Sequence, residues 1–151
     1  MKKIYIFLLL LVLFTITGCT KIFDTEPPEA KAQIKNKNIS LIRGGYHWTT
    51  EEGNFFTSTK TTIADAASPV QIAKEMIASP VEKGSEATIE FSDHSKPQLT
   101  YQFWDEDQPG KSISMKGNKL TFPPKSGKYI IEVNATWSNG DASYTLFVDV
   151  K

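Results

Sequence analysis

In KYIIEVNATW, residues 128–137, apolar side chains recur at every second position. Tyr129, Ile131, Val133, Ala135 and Trp137 fall on one face, and Ile130, Glu132, Asn134 and Thr136 on the other. A period of two is the mark of a strand with one buried face. The pattern repeats in ASYTLFVDV, with Ala142, Tyr144, Leu146, Val148 and Val150 inward and Ser143, Thr145 and Asp149 outward. Between the two runs lie Ser138, Asn139, Gly140 and Asp141, whose Asn-Gly pair tolerates the positive φ angles of a type I′ turn. The spacing therefore predicts a C-terminal β-hairpin with Gly140 at positive φ.

Shorter alternating runs precede it. AQIKNK and ISLIRG flank a predicted turn at Lys37 and Asn38, and YHWTT and FFTSTKTTI flank EEGN. EATIEFS and QLTYQFW follow, and then SISMK and KLTFP about Gly117 and Asn118. The turn signals recur at the spacing of a β-sandwich. One helix interrupts the strands. Ser68, Pro69 and Gln71 form an S-x-x-Q capping box with proline at the first helical position, and Ser79-Pro80 is expected to end it after two or three turns at one end of the sheets.

The N-terminus has a different pattern. Lys2 and Lys3 precede a run from Ile4 to Ile16 that only Tyr5 and Thr15 interrupt. A basic flank followed by a short apolar run is the layout of a signal peptide, and the run stops short of the roughly 20 residues that a membrane span needs. It ends in Ile16, Thr17, Gly18 and Cys19, which resemble the lipobox of bacterial lipoproteins. That resemblance implies cleavage before Cys19 and a diacylglycerol on its sulfur. It explains why the chain's single cysteine stands there. With no second thiol, an internal disulfide is excluded. The mixed-charge segment that follows, with Pro27 and Pro28, reads as an extended, solvated tether.

PPKSGKYIIEVNATWSNGDASYTLFVDV resembles the last two strands of bacterial immunoglobulin-like and polycystic-kidney-repeat-like domains. The resemblance implies that Tyr129 is a corner tyrosine, with its hydroxyl bonded to nearby backbone. GGYHW, DAASP and the C-terminal hairpin together look like small lipoproteins of low-GC Gram-positive bacteria, a resemblance that implies no activity. These readings predict a mainly β chain: signal peptide 1–18, lipidated Cys19 and flexible tether 19–30, and an immunoglobulin-like antiparallel β-sandwich with one short helix over 31–151.

Charge narrows the partners. The full chain balances 17 basic against 17 acidic residues, and without Lys2 and Lys3 it carries a net charge of −2, which offers nothing to nucleic acid. The expected contacts are the membrane, through the lipid on Cys19, and an envelope protein or glycan. Catalysis is not expected, because the two histidines, His47 and His94, stand without a nucleophile motif. His94 in SDHSKP reads as a polar turn, and no cofactor motif is present. Asp105, Glu106 and Asp107 are weak calcium candidates that lack EF-hand spacing, and charged solubility at a hairpin tip is the plainer reading.

The candidate ligand contacts are Tyr46, Trp48, Phe55 and Phe56, because alternation cannot send adjacent Phe55 and Phe56 into one core and at least one ring should remain exposed. The leading expectation is thus a non-catalytic, membrane-anchored binding module. The alternatives are an accessory subunit or inhibitor of an envelope enzyme, and a lipocalin-like carrier. The anchor has a direct test: Cys19→Ser should leave an unprocessed precursor that takes up no labelled palmitate. Continued incorporation would refute lipidation at Cys19.

Overall fold

The computed structural model describes residues 25–52 and 58–151. The signal segment, Cys19, Phe55 and Phe56 lie outside the described residues. No helix among the described residues is long and apolar enough to cross a membrane.

The described residues are mainly β, with one short helix and two largely antiparallel sheets whose apolar faces share a core. The smaller sheet contains β1 (Ala30–Ile34), β2 (Lys37–Ser40), β6 (Glu86–Phe91) and β10 (Lys119–Thr121), in the order β10-β6-β1-β2. The larger sheet runs β4-β3-β12-β11-β7-β8, built from β3 (Ile42–Glu52), β4 (Ser58–Ala64), β7 (Gln98–Asp105), β8 (Gln108–Pro109), β11 (Gly127–Trp137) and β12 (Gly140–Val150). Two short strands complete it: β5 (Ser79–Val81) lies parallel to the end of β12, and β9 (Ile113–Ser114) pairs with β7.

The alternation read from β11 and β12 holds on the inner face. Ile131, Val133, Ala135, Ala142, Tyr144, Leu146, Val148 and Val150 are all buried against the smaller sheet's Ala32, Ile89 and Leu120. Thr145 departs from it, since it points outward yet is 1% exposed. The helix, α1 (Pro69–Lys74), packs on β11 and β12, and its buried Ala73 stands apart from the main core. It therefore lies against the strands on the side away from the main core rather than closing an end of the sheets. The predicted capping box is formed: Ser68 Oγ accepts from Gln71 N at 3.4 Å, and Gln71 Oε1 accepts from Ser68 N at 3.2 Å. The helix stops earlier than expected, at Glu75. Pro80 biases Ser79 toward extended backbone, and Ser79 to Val81 instead join β12.

Two expected hairpins are corrected. The first turn lies at Lys35 and Asn36, not Lys37 and Asn38, and Lys35 takes a left-handed φ of 52°. ISLIRG then divides at Leu41, which carries the chain from one sheet to the other. SISMK and KLTFP likewise part: β9 joins the larger sheet and β10 the smaller, with a single bridge between Lys116 and Lys119 around Gly117.

The C-terminal hairpin forms as read, but its turn does not. Gly140 is absent from the positive-φ residues of the described chain, and it pairs with Trp137 on one side and Trp48 on the other. Asn139 is used to fasten the tip to β3, its carbonyl accepting from Thr49 N at 2.8 Å and its amide donating to Thr49 O at 3.2 Å. Glycine is required at 140 by proximity. A Cβ there would stand 2.2 Å from His47 O and 2.8 Å from the Trp48 indole.

The larger correction concerns the tether. Pro27 and Pro28 are buried, so packed structure begins before residue 31. The hydroxyl of Tyr144, a residue 0% exposed, donates to Pro28 O at 2.7 Å. Arg43 donates to Pro27 O and to the Glu26 carboxylate, and Glu29 and Ser92 exchange two further bonds. Above Tyr144 runs a chain of edge-on rings, Tyr144 to Phe91 at 5.7 Å, Phe91 to Trp137 at 5.1 Å and Trp137 to Trp48 at 5.3 Å, which links the two sheets.

Two substitutions test these contacts. If crowding fixes Gly140, both Gly140→Ala and Gly140→Asn should lower the unfolding free energy by about 1–3 kcal/mol in urea titrations. A tolerated asparagine would restore the turn explanation. Burial pushes the Tyr144 phenol well above its ordinary value; Arg43 opposes this, and Asp93 and Glu29 reinforce it. Above about pH 10 an unfolded tyrosine releases its proton while the fold retains it, so stability should fall by about 1.4 kcal/mol per pH unit there and be unaffected by this group below. Tyr144→Phe should cost about 1–3 kcal/mol at neutral pH, by leaving a buried carbonyl without its donor, and should remove that alkaline slope. Equal slopes in the two proteins would contradict it.

Candidate functional site

The described members of the aromatic set turn inward. Trp48 is 5% exposed, and its indole packs on the bare backbone of Gly140 and against the edge of Trp137, so it serves the core and offers a partner no face. Tyr46 is half-buried; it pairs with Ala142, packs on the core and lies under the Arg43 guanidinium, 5.4 Å from ring centre to Cζ. A cation held over the ring in this way fixes both side chains. His47 projects from the opposite face, as alternation requires, and stands exposed with Nδ1 3.9 Å from Asp141 Oδ2.

Asp93, His94 and Ser95 are committed to a turn. His94 has a φ of 59° and its N–H donates to Phe91 O at 3.0 Å, while Ser95 N donates to Asp93 Oδ1 at 3.0 Å. The Ser95 hydroxyl accepts the Trp137 indole N–H at 2.8 Å. Asp105, Glu106 and Asp107 form the exposed tip between β7 and β8, with Glu106 in the left-handed region. Among the described residues no three His, Cys, Asp or Glu side chains stand together so that they could hold a metal ion. A two-residue tip splays successive side chains apart.

A concave feature lies elsewhere among the described residues, where β6 of the smaller sheet and the start of β7 of the larger one stand open to each other. A cleft of about 410 Å³ enters there, floored by Ile89, Phe91 and Leu99 and rimmed by Ser95, Lys96 and Asn118. Local chemistry holds its walls. Gly117 takes a φ of +65°, which lets Asn118 turn back on β6; its carbonyl accepts from Ile89 N at 2.8 Å and its amide donates to Ile89 O at 3.1 Å. Over Pro97 and Leu99 the cleft continues into a second depression of about 370 Å³ beside Ser114 and Met115.

The exposed Lys96 ammonium makes no ion pair with the described residues. An apolar floor with a cation, a hydroxyl and an amide on the rim suits an elongated ligand with an apolar body and a polar or anionic end. A third depression, of about 290 Å³, surrounds Arg43, whose charge is already taken by Glu26 and Pro27. Sequence reading missed the cleft because its walls come from SDHSKP, from the strand before it and from a turn some twenty residues later. Only the crossing of the chain between sheets brings them together.

Compared with protein-family models, with curated proteins and with solved structures, the chain matches none.

Proposed function

We propose that the chain is a lipoprotein held at the extracytoplasmic face of the cell membrane through Cys19, and that its body is a non-catalytic immunoglobulin-like binding module. The cleft between the sheets carries the binding half of this reading. It is a concave, partly apolar opening whose polar groups sit on the rim and are not paired as acid and base.

Support for the immunoglobulin-like type comes from the two antiparallel sheets over one core, the long C-terminal hairpin and Tyr129, whose hydroxyl donates to Lys125 O at 3.0 Å, four residues upstream at the entry to β11. The anchor reading rests on the N-terminal pattern, and the buried prolines give it a dimension. With residues 25–29 docked on the fold, only residues 20–24 separate Cys19 from packed structure, a reach of at most about 20 Å. The module would then sit close to the bilayer. The apolar floor also favours the carrier alternative, with a small amphiphile in place of a macromolecule.

The binding half is tested by affinity capture from envelope fractions with the full chain in detergent, comparing the wild type with Lys96→Glu. Lys96 is exposed on the rim, so the substitution should leave the unfolding midpoint unchanged and weaken capture at least about tenfold. Equal capture by a folded Lys96→Glu protein would place binding outside the cleft.

A further inference from the structure

The outer face of the larger sheet, where β7 and β11 lie side by side, carries a second pattern. Leu99, Ile131, Val133 and Ala135 point into the core, so the alternate residues point out. In register, Gln98 faces Thr136, Thr100 faces Asn134 and Gln102 faces Glu132. Trp104 follows on β7, opposite Ile130. This face is partly exposed and rich in amides and hydroxyls; between Gln98 and Trp104 its one formal charge is the Glu132 carboxylate, and the exposed Lys128, next after Ile130 in the outward row of β11, stands at its end.

Two bonds converge on that carboxylate. Glu132 Oε2 accepts from Gln102 Nε2 at 2.7 Å and from Trp104 Nε1 at 2.9 Å. The indole, tethered by its N–H and half-buried, presents a fixed ring instead of a swinging one. Glu132 Oε1 and the Gln102 carbonyl oxygen make no hydrogen bond to the described residues. They remain as acceptors beside the ring. On the far side α1 packs on β12 and on part of β11, so the helix bounds the face there. From Gln98 to Trp104 the outward row spans about 20 Å, at roughly 3.3 Å per residue.

We propose that this face is a binding platform for a neutral glycan chain, stacked on Trp104 and hydrogen-bonded by Glu132 and Gln102. The chemistry selects the class. Sugar hydroxyls supply the donors that a carboxylate and amide oxygens lack, and the C–H face of a sugar ring covers an indole. The Glu132 carboxylate beside the ring disfavours polyanions, Lys128 standing beyond it at the end of the row, and the patch is too polar for an apolar helix. The stacking end at Trp104, Gln102 and Glu132 lies away from the residues that line the cleft, although Gln98 and Thr100 at the other end of the row line the second depression, and the site does not depend on the membrane anchor.

The test uses the full chain in detergent micelles, titrated with cellohexaose, with chitohexaose and with dextran sulfate while tryptophan fluorescence is followed. Trp48 is buried, whereas Trp137 bonds the cleft-rim Ser95, so a change in signal is assigned to Trp104 when Trp104→Ala abolishes it and Lys96→Glu does not. The expected result is a saturable change with at least one of the two neutral oligosaccharides at or below about millimolar concentration. Trp104→Ala should weaken it at least about tenfold, read by calorimetry because the reporter is lost. Asn134→Arg, which leaves Trp104 and Glu132 in place and obstructs the row, should do the same with an unchanged unfolding midpoint. Lys96→Glu should have no effect. The proposal is overturned if neither neutral oligosaccharide titrates with the folded protein, if only dextran sulfate binds, or if binding survives in folded Asn134→Arg.

Discussion

A phenol hydroxyl in the middle of an apolar core needs a partner, because an unbonded one would cost several kcal/mol on transfer from water. In this fold the partner of Tyr144 is the carbonyl of Pro28, 2.7 Å away, on the segment that leads into the first strand. Much else follows from that bond. Docking Pro28 brings the Pro27 carbonyl to Arg43 and Glu26 to the same guanidinium, and Arg43 in turn lies over Tyr46. On its other side the Tyr144 ring meets Phe91 and so, through Trp137, the hairpin end where Gly140 gives way to Trp48. One residue of β12 thereby joins the N-terminal segment, the smaller sheet and the larger sheet.

The same residues show what the sequence disclosed and what it did not. Strand alternation on β11 and β12, the capping box at Ser68 and the Tyr129 bond to Lys125 depend on neighbours within a few positions, so their patterns are legible locally. Pro27 and Pro28 misled because the composition that suits a solvated tether also suits burial, proline having no N–H to leave unsatisfied. Asn139 and Gly140 misled for a related reason. Their turn chemistry is real, but contact with β3, some ninety residues away, decides what each is used for. Trp48 could not be placed without knowing that its strand lies beside Gly140. The cleft and the Trp104 face each join segments from separate parts of the chain, and no periodicity encodes such a meeting.

The two proposed surfaces divide the labour of a binding module in a physically sensible way. The cleft reaches toward the core between the sheets and would discriminate by shape and by the charge of Lys96. The outer face, with the Trp104 ring and the Gln102 amide both held by Glu132, would hold an extended chain by stacking and hydrogen bonds. With its first packed residues close behind Cys19, an anchored module would work near the bilayer surface rather than at the end of a long tether.

The central claim is that residues 25–29 are part of the folded unit, and it is tested most directly by urea unfolding of two chains, one beginning at residue 25 and one at residue 30, where β1 starts. The account predicts that the shorter chain loses at least about 2 kcal/mol, since it gives up the partner of a buried hydroxyl as well as two buried prolines. Equal unfolding free energies for the two chains would contradict it.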